Sequence, residues 1–346
     1  MGGQASHLEA PIHLGSNEKQ YMPLEIGAPS IDVRRGDSIV VGLINNMPDA
    51  AVTATEQQFA SLLSAASGPR QVQLRLSHIA EIPREPQLLE RFARYYWPLE
   101  VLLANPLDAI IVTGTEPRAA SLEEEPYWPQ LCDLLEWVQS RSISSIWSCL
   151  AAHAAVQALD GISRHRLPEK RFGVFHHLVT SDTPLLNGVS RPLLTPHSRW
   201  NELLPEELRD AGYTLVSSSP ENGADVFLRH DRGLFICFQG HPEYESTTLL
   251  KEYRRDVGRF LRGERDGWPP APAGYLTPEA LEQLFAFRRR AEECGDPDLL
   301  EQFPIIEPGS GITANWRHNA VRIYSNWLTQ LADTRTAARC RASVQV

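Results

Sequence analysis

The chain has 346 residues, of which 42% are hydrophobic and 22% charged, and a formal net charge of −10. That length can bury a full α/β core, and the absence of any basic excess argues against a general nucleic-acid binder, though not against a local basic pocket for an anion. No apolar run reaches the ~20 residues of a membrane span, and no charged-then-apolar leader opens the chain. The five cysteines (Cys132, Cys149, Cys237, Cys294, Cys340) are scattered without a CxxC pair, so a reduced, cytoplasmic protein with no metal is expected.

Residues 1–35 are polar and read as a loosely packed arm. Ile39–Ile44 is a continuous apolar run, as in a strand buried on both faces, and Thr55–Ser67 follows with helical spacing of Phe59, Leu62 and Leu63. Val72–Leu76 reads as strand, Pro86–Leu103 as helix, and Leu107–Gly114 as another buried strand. Pro126–Ser140 is an amphipathic helix, and Ile143–Ser148 is a strand that runs into Cys149. This alternation predicts a parallel sheet covered on both faces, with reactive groups gathered at the C-terminal ends of its strands. Gly114, Cys149 and His241 would all lie there.

The second half changes character. Gly173–Thr180, Pro192–Thr195, Tyr213–Ser218, Ala224–Leu228 and Leu234–Gln239 are short β-like runs, followed by a helix over Glu245–Leu261. Gly263–Leu276, rich in Pro and Gly, reads as a linker or surface loop, and Thr277–Glu293 and Ala320–Ala332 as closing helices. The expected organisation is an arm (1–35), a catalytic α/β domain (36–262) and a C-terminal segment (263–346) that packs on it.

Cys149 stands at a strand-to-helix turn, where the positive end of the helix favours a thiolate. His241 and Glu243 end another apolar strand, so a base steadied by a carboxylate could serve acyl transfer through a thioester. The bland alternatives are a buried structural cysteine and a solvated carboxylate at a helix start. Cys237 is the rival thiol, but its apolar surroundings read as core. The backbone amides of Gly114, Thr115 and Leu150 are candidate oxyanion donors.

The ordered pieces Asn45-Asn46-Met47-Pro48, Ile111-Val112-Thr113-Gly114, Tyr127-Trp128-Pro129-Gln130, Cys149-Leu150-Ala151-Ala152, Pro196-His197-Ser198-Arg199, Gly240-His241-Pro242-Glu243-Tyr244 and Arg255-Asp256 carry a family resemblance. The chain resembles the homoserine O-acyltransferases built on a class I glutamine-amidotransferase-like fold. The resemblance implies a three-layer α/β sandwich with a mostly parallel, flavodoxin-like core. It also implies a ping-pong reaction in which acyl-CoA, as co-substrate, acylates Cys149, and His241 with Glu243 then activates homoserine. No bound cofactor is implied, succinyl-CoA is slightly favoured over acetyl-CoA, and the pathway is methionine synthesis. Lys170, Ser198 and Arg255 match the family's amino-acid contacts, although in isolation Lys170 and Arg255 read as surface cations. Members of the family are often homodimers, a point on which the sequence is silent.

Some positions depart from the family pattern. Leu150 and His153 stand where the family usually has Trp and Gln, and Asp49-Ala50-Ala51 replaces two lysines near the implied CoA entrance. Arg118 occupies a position linked to the choice of acyl group. It is expected to pair with the free carboxylate of a succinyl group, or else to be exposed or paired with Glu116. A serine O-acyltransferase, a glutamine-amidotransferase-like hydrolase and an inactive binding homologue remain as rival readings, since one methylene in the acceptor separates rates by only about 10–200-fold.

Overall fold

The computed structural model describes residues 25–26 and 37–344, so the predicted arm lies outside the described residues except for Glu25–Ile26. Ten strands form one sheet in the order β1-β3-β2-β4-β5-β10-β9-β8-β6-β7. These are β1 (Glu25–Ile26), β2 (Ile39–Ile44), β3 (Val72–Ser77), β4 (Ala109–Thr113) and β5 (Ser144–Ser148), with β6 (His165–Val179), β7 (Leu193–Glu202), β8 (Thr214–Ser219), β9 (Gly223–His230) and β10 (Leu234–Phe238). The strands from β1 to β10 in that order pair parallel, and β9, β8, β6 and β7 continue antiparallel.

The central strands β2, β4 and β10 are almost wholly apolar because both of their faces are covered. Ala109 and Ile111 of β4 pack in one core with α1 (Asp49–Ser67) and α9 (Arg317–Val344). Ile110 and Val112 pack in the opposite core with α4 (Trp128–Arg141) and α5 (Leu150–Asp160). This is the expected three-layer α/β architecture. On α9, Ala320, Ile323, Tyr324, Trp327, Leu328 and Leu331 recur at helical spacing and are all buried. A third core joins Phe172 and Val174 of β6 to α7 (Thr248–Leu261) and α8 (Pro278–Cys294).

Two local expectations are corrected and a third is narrowed. The helix predicted over 86–103 is two, α2 (Pro86–Tyr95) and α3 (Leu99–Ala104). Pro98 follows the break and contributes no N–H, while the Trp97 N–H donates to Leu76 O of β3 at 2.7 Å instead of continuing the helix. The first helix starts at Asp49, directly after Pro48, rather than at Thr55. The Pro/Gly-rich stretch, read as a linker or surface loop, is a loop bonded to β6: Val174 N–H donates to Ala273 O (2.8 Å) and Ala273 N–H to Phe172 O (3.0 Å). Gly173, at φ 146°, permits this approach, since a Cβ there would run into the Ala273 backbone.

Candidate active site

The neighbouring strands β4, β5 and β10 end in one row, with Thr113 opposite Ser148 and Ser148 opposite Phe238. Gly114, Cys149 and Gln239 are therefore the first residues past three adjacent C-terminal ends, and His241 follows two positions later. Cys149 takes φ 52° and ψ −115°, a conformation that costs a non-glycine residue about 1–3 kcal/mol. The turn is held by the Cys149 N–H, which donates to Phe238 O at 2.7 Å. It leaves the thiol half-buried at the opening of α5. Cys237 lies wholly in the core, where burial pushes its thiol well above the usual range and keeps it protonated.

His241 and Glu243 are both buried, and His241 Nδ1 lies 2.8 Å from Glu243 Oε1. Ser148 Oγ donates to the same carboxylate oxygen at 3.3 Å. With Nδ1 engaged, Nε2 is the nitrogen left to face the thiol. Burial works against the imidazolium, but the charges and hydrogen bonds of Cys149 and Glu243 outweigh it and hold His241 well above its ordinary range. Tyr244 stacks on the imidazole with ring centroids 4.3 Å apart.

Gly114 lies so close to the start of α5 that a Cβ there would sit 2.6 Å from Leu150 Cβ and 3.0 Å from Leu150 N. The loop is fixed by Asn46, whose N–H donates to Thr113 Oγ1 (2.8 Å) and whose side-chain amide donates to Thr113 O (3.2 Å). Thr115 and Leu150 line the same cleft. The first amides of a helix have no intrahelical acceptor, and Leu150 opens α5 directly after Cys149.

Lys170, Ser198 and Arg255 are brought together, but around a residue the sequence reading missed. Glu252 of α7 accepts from Ser198 Oγ (2.5 Å) and Tyr244 Oη (2.7 Å), and lies 3.5 Å from Lys170 Nζ and 3.8 Å from Arg255. Asp256 pairs with Lys170 (3.5 Å) and Arg255 (3.0 Å). Through Tyr244, this charged cluster is thus one contact away from His241. The available signal was the (i, i+3) spacing of Glu252 and Arg255 on one helix face.

The departures also find places. His153 is buried, with Nε2 3.1 Å from Gln239 Oε1, and burial pushes it down to about 3, so it is neutral. Asp49 accepts from Arg84 Nη1 (2.9 Å) and from the Glu85 N–H (2.7 Å). Burial raises the Asp49 carboxyl, but those bonds and the charges of Arg84 and Arg118 outweigh it and hold it below the usual range. Arg118 is exposed; its N–H donates to Glu125 Oε1 at 2.5 Å, and among the described residues it forms no ion pair with Glu116.

No helix among the described residues is long and apolar enough to cross a membrane. Solved glutamine amidotransferases from Thermotoga maritima and Methylobacillus flagellatus resemble the chain at 14% identity. Their TM-scores are 0.46 and 0.48, and the matches cover 86% and 85% of this chain and 99% and 94% of theirs. Among curated proteins, the homoserine O-succinyltransferase of Rhodopseudomonas palustris is 44% identical over 85% of this chain and 88% of its own length. That of Methylorubrum extorquens is 41% identical over 85% and 87%. The family model described as homoserine O-succinyltransferase matches residues 16–337. The chain belongs to the homoserine O-succinyltransferase family.

Proposed function

We propose that the protein transfers a succinyl group from succinyl-CoA to the hydroxyl of homoserine, a step of methionine synthesis. The observation that carries this reading is the strained Cys149 turn coupled to His241 and Glu243, in a chain whose relatives bear that name. His241 takes the Cys149 proton as Sγ attacks the thioester carbonyl, and the amides of Gly114, Thr115 and Leu150 receive the oxyanion. Collapse expels the CoA sulfur, which leaves with the proton held by His241. The homoserine hydroxyl then gives its proton to His241 and attacks acyl-Cys149. The second collapse frees O-succinylhomoserine and returns the proton to the thiol.

Lys170, Ser198 and Arg255 hold the amino acid, with Arg255 suited to its carboxylate. Arg118 faces the free carboxylate of the succinyl group, a partner that an acetyl group lacks. All these residues fall within 36–262, which we take as the catalytic unit. Intact-mass spectrometry of the protein and of Cys149→Ala, after succinyl-CoA, acetyl-CoA or glutamine, tests the reading. The expected result is a succinyl adduct that requires Cys149 and discharges on adding homoserine. Absence of an adduct from either CoA ester, or ammonia released from glutamine, overturns it.

A further inference from the structure

Behind the turn that carries His241 lies a buried polar cluster that the chemistry above does not use. His177, His197 and Asp225 are each fully buried, and their potential ligand atoms lie within 4.8 Å of one another. The bonding of His197 argues against its serving as a metal ligand. The Arg199 guanidinium has only donors, and its Nε donates to His197 Nδ1 at 3.2 Å. The His197 proton is therefore on Nε2, which points a donor, not a lone pair, at Asp225 Oδ1 across a long 3.4 Å contact. The other Asp225 oxygen accepts from Thr195 Oγ1 (2.8 Å) and Ser217 Oγ (3.1 Å), with His177 Nδ1 3.8 Å away.

This array touches the catalytic turn at three consecutive residues. Gln239 N–H donates to Asp225 O (2.8 Å), and His241 N–H donates to Pro196 O (2.8 Å) between Thr195 and His197. At Gly240 a Cβ would meet Thr195 Cγ2 and would lie 2.9 Å from both Asp225 Oδ1 and His197 Nε2. We propose that Asp225 is a positioning residue for His241, acting through His197, Arg199 and Thr195 to fix the Gln239–Gly240–His241 turn from behind. In support, the Arg199 guanidinium lies within electrostatic reach of both Cys149 and Asp225, so the array and the nucleophile share a charge.

The test follows the pH dependence of Cys149 alkylation by iodoacetamide in the full-length protein, resolved by peptide mass spectrometry. The charged and titratable groups around the Cys149–His241 pair are Glu243, Tyr244, His153, Arg199, Asp225, His197 and His177, with Glu252 beyond Tyr244 and Tyr324 beyond Glu243. The variants are Asp225→Asn and the milder Thr195→Val, which removes one hydrogen bond to Asp225. A loosened His241 no longer supports the thiolate. In Asp225→Asn the alkylation profile should move to higher pH, and kcat should fall at least about tenfold with both KM values within about twofold. Thr195→Val should change in the same direction by about threefold, and it decides the question if Asp225→Asn fails to fold.

A wild-type profile and kcat in the folded variant would leave Asp225 a purely structural role and overturn the proposal. A shift to lower pH would also overturn it, because that is the bare effect of deleting a negative charge. The proposal rests on the Cys149–His241 reading. Alkylation needs no acyl substrate, so a wild-type protein that alkylates fast but transfers nothing fails that functional reading alone.

Discussion

Gly114→Ala examines the oxyanion geometry most directly. The added Cβ would lie 2.6 Å from Leu150 Cβ, 3.0 Å from Leu150 N and 3.1 Å from Leu150 Cα. Carbon contacts settle at about 3.5–4.0 Å, so the loop and the start of α5 must part by ~1 Å. Neither side can yield cheaply. Leu150 is backbone fixed next to Cys149, and Thr113 is tied to Asn46 by two hydrogen bonds. Overpacking of this kind costs about 1–3 kcal/mol of stability. The larger effect falls on rate, because a displaced donor no longer meets the oxyanion, and acylation should slow by about 10²–10³-fold. The assay is stopped-flow detection of free CoA thiol on mixing with succinyl-CoA without homoserine. Gly42→Ala is the control: its Cβ would meet only side-chain tips, the nearest being Leu102 Cδ2 at 3.2 Å, so activity should hold. Acylation within about threefold of wild type in a Gly114→Ala protein that shows the stability loss would refute the oxyanion assignment.

Glu243→Gln should lower kcat by about 10³-fold, measured at saturating substrates, because the tautomer and charge of His241 lose their support. The raised folded-state value of His241 means that its stabilisation is complete below its ordinary value of 6.5 and is lost as pH climbs through the raised value; in Glu243→Gln, urea midpoints should begin to fall at lower pH. His153 has the opposite sign: lowered to about 3 by burial, it supports the fold above 6.5 and weakens it as pH falls, so His153→Gln should remove about 2 kcal/mol of the stability difference between pH 7 and pH 5. Arg118→Glu should lower the ratio of succinyl to acetyl transfer, measured by competing the two CoA esters; an unchanged ratio sinks the carboxylate pairing.

The parallel half of the sheet was legible because strands buried on both faces announce themselves as unbroken apolar runs, as in Ile39–Ile44 and Ala109–Thr113. His241 was legible for the same reason, standing just past Leu234–Phe238, and Cys149 from its place between a short strand and an alanine-rich helix. The β6–β7 hairpin was read too short: β6 carries Arg166, Glu169, Lys170 and Arg171 on a half-exposed stretch, and no apolar run marks its start. Asp225, His177 and Glu252 look in sequence like ordinary surface residues. Their surroundings are decided by partners such as Thr195 and Ser198, which lie 30 residues from Asp225 and 54 from Glu252. The pairing of Asp49 with Arg84 spans 35 residues and is equally silent in the chain.

That pairing bears on how the departures from the family pattern should be weighed. Exchanging lysine-bearing sequence for Asp49 reads as a loss of positive charge at the cleft, yet the Arg84 guanidinium is bound to Asp49 and also to the carbonyls of Met47 and Asn45. Arg84 therefore neutralises the new carboxylate without offering a free cation, since its side chain is buried and both terminal nitrogens are spent on protein oxygens. Arg118, exposed on the neighbouring loop, is close enough for Asp49 to feel its charge. An anion approaching from solvent would meet Arg118 before Arg84, and under the proposed function Arg118 is where selection for the acyl carboxylate would fall. His153, by contrast, changes the core: neutral and bonded to Gln239, it supports the same turn that Asp225 holds from the other side.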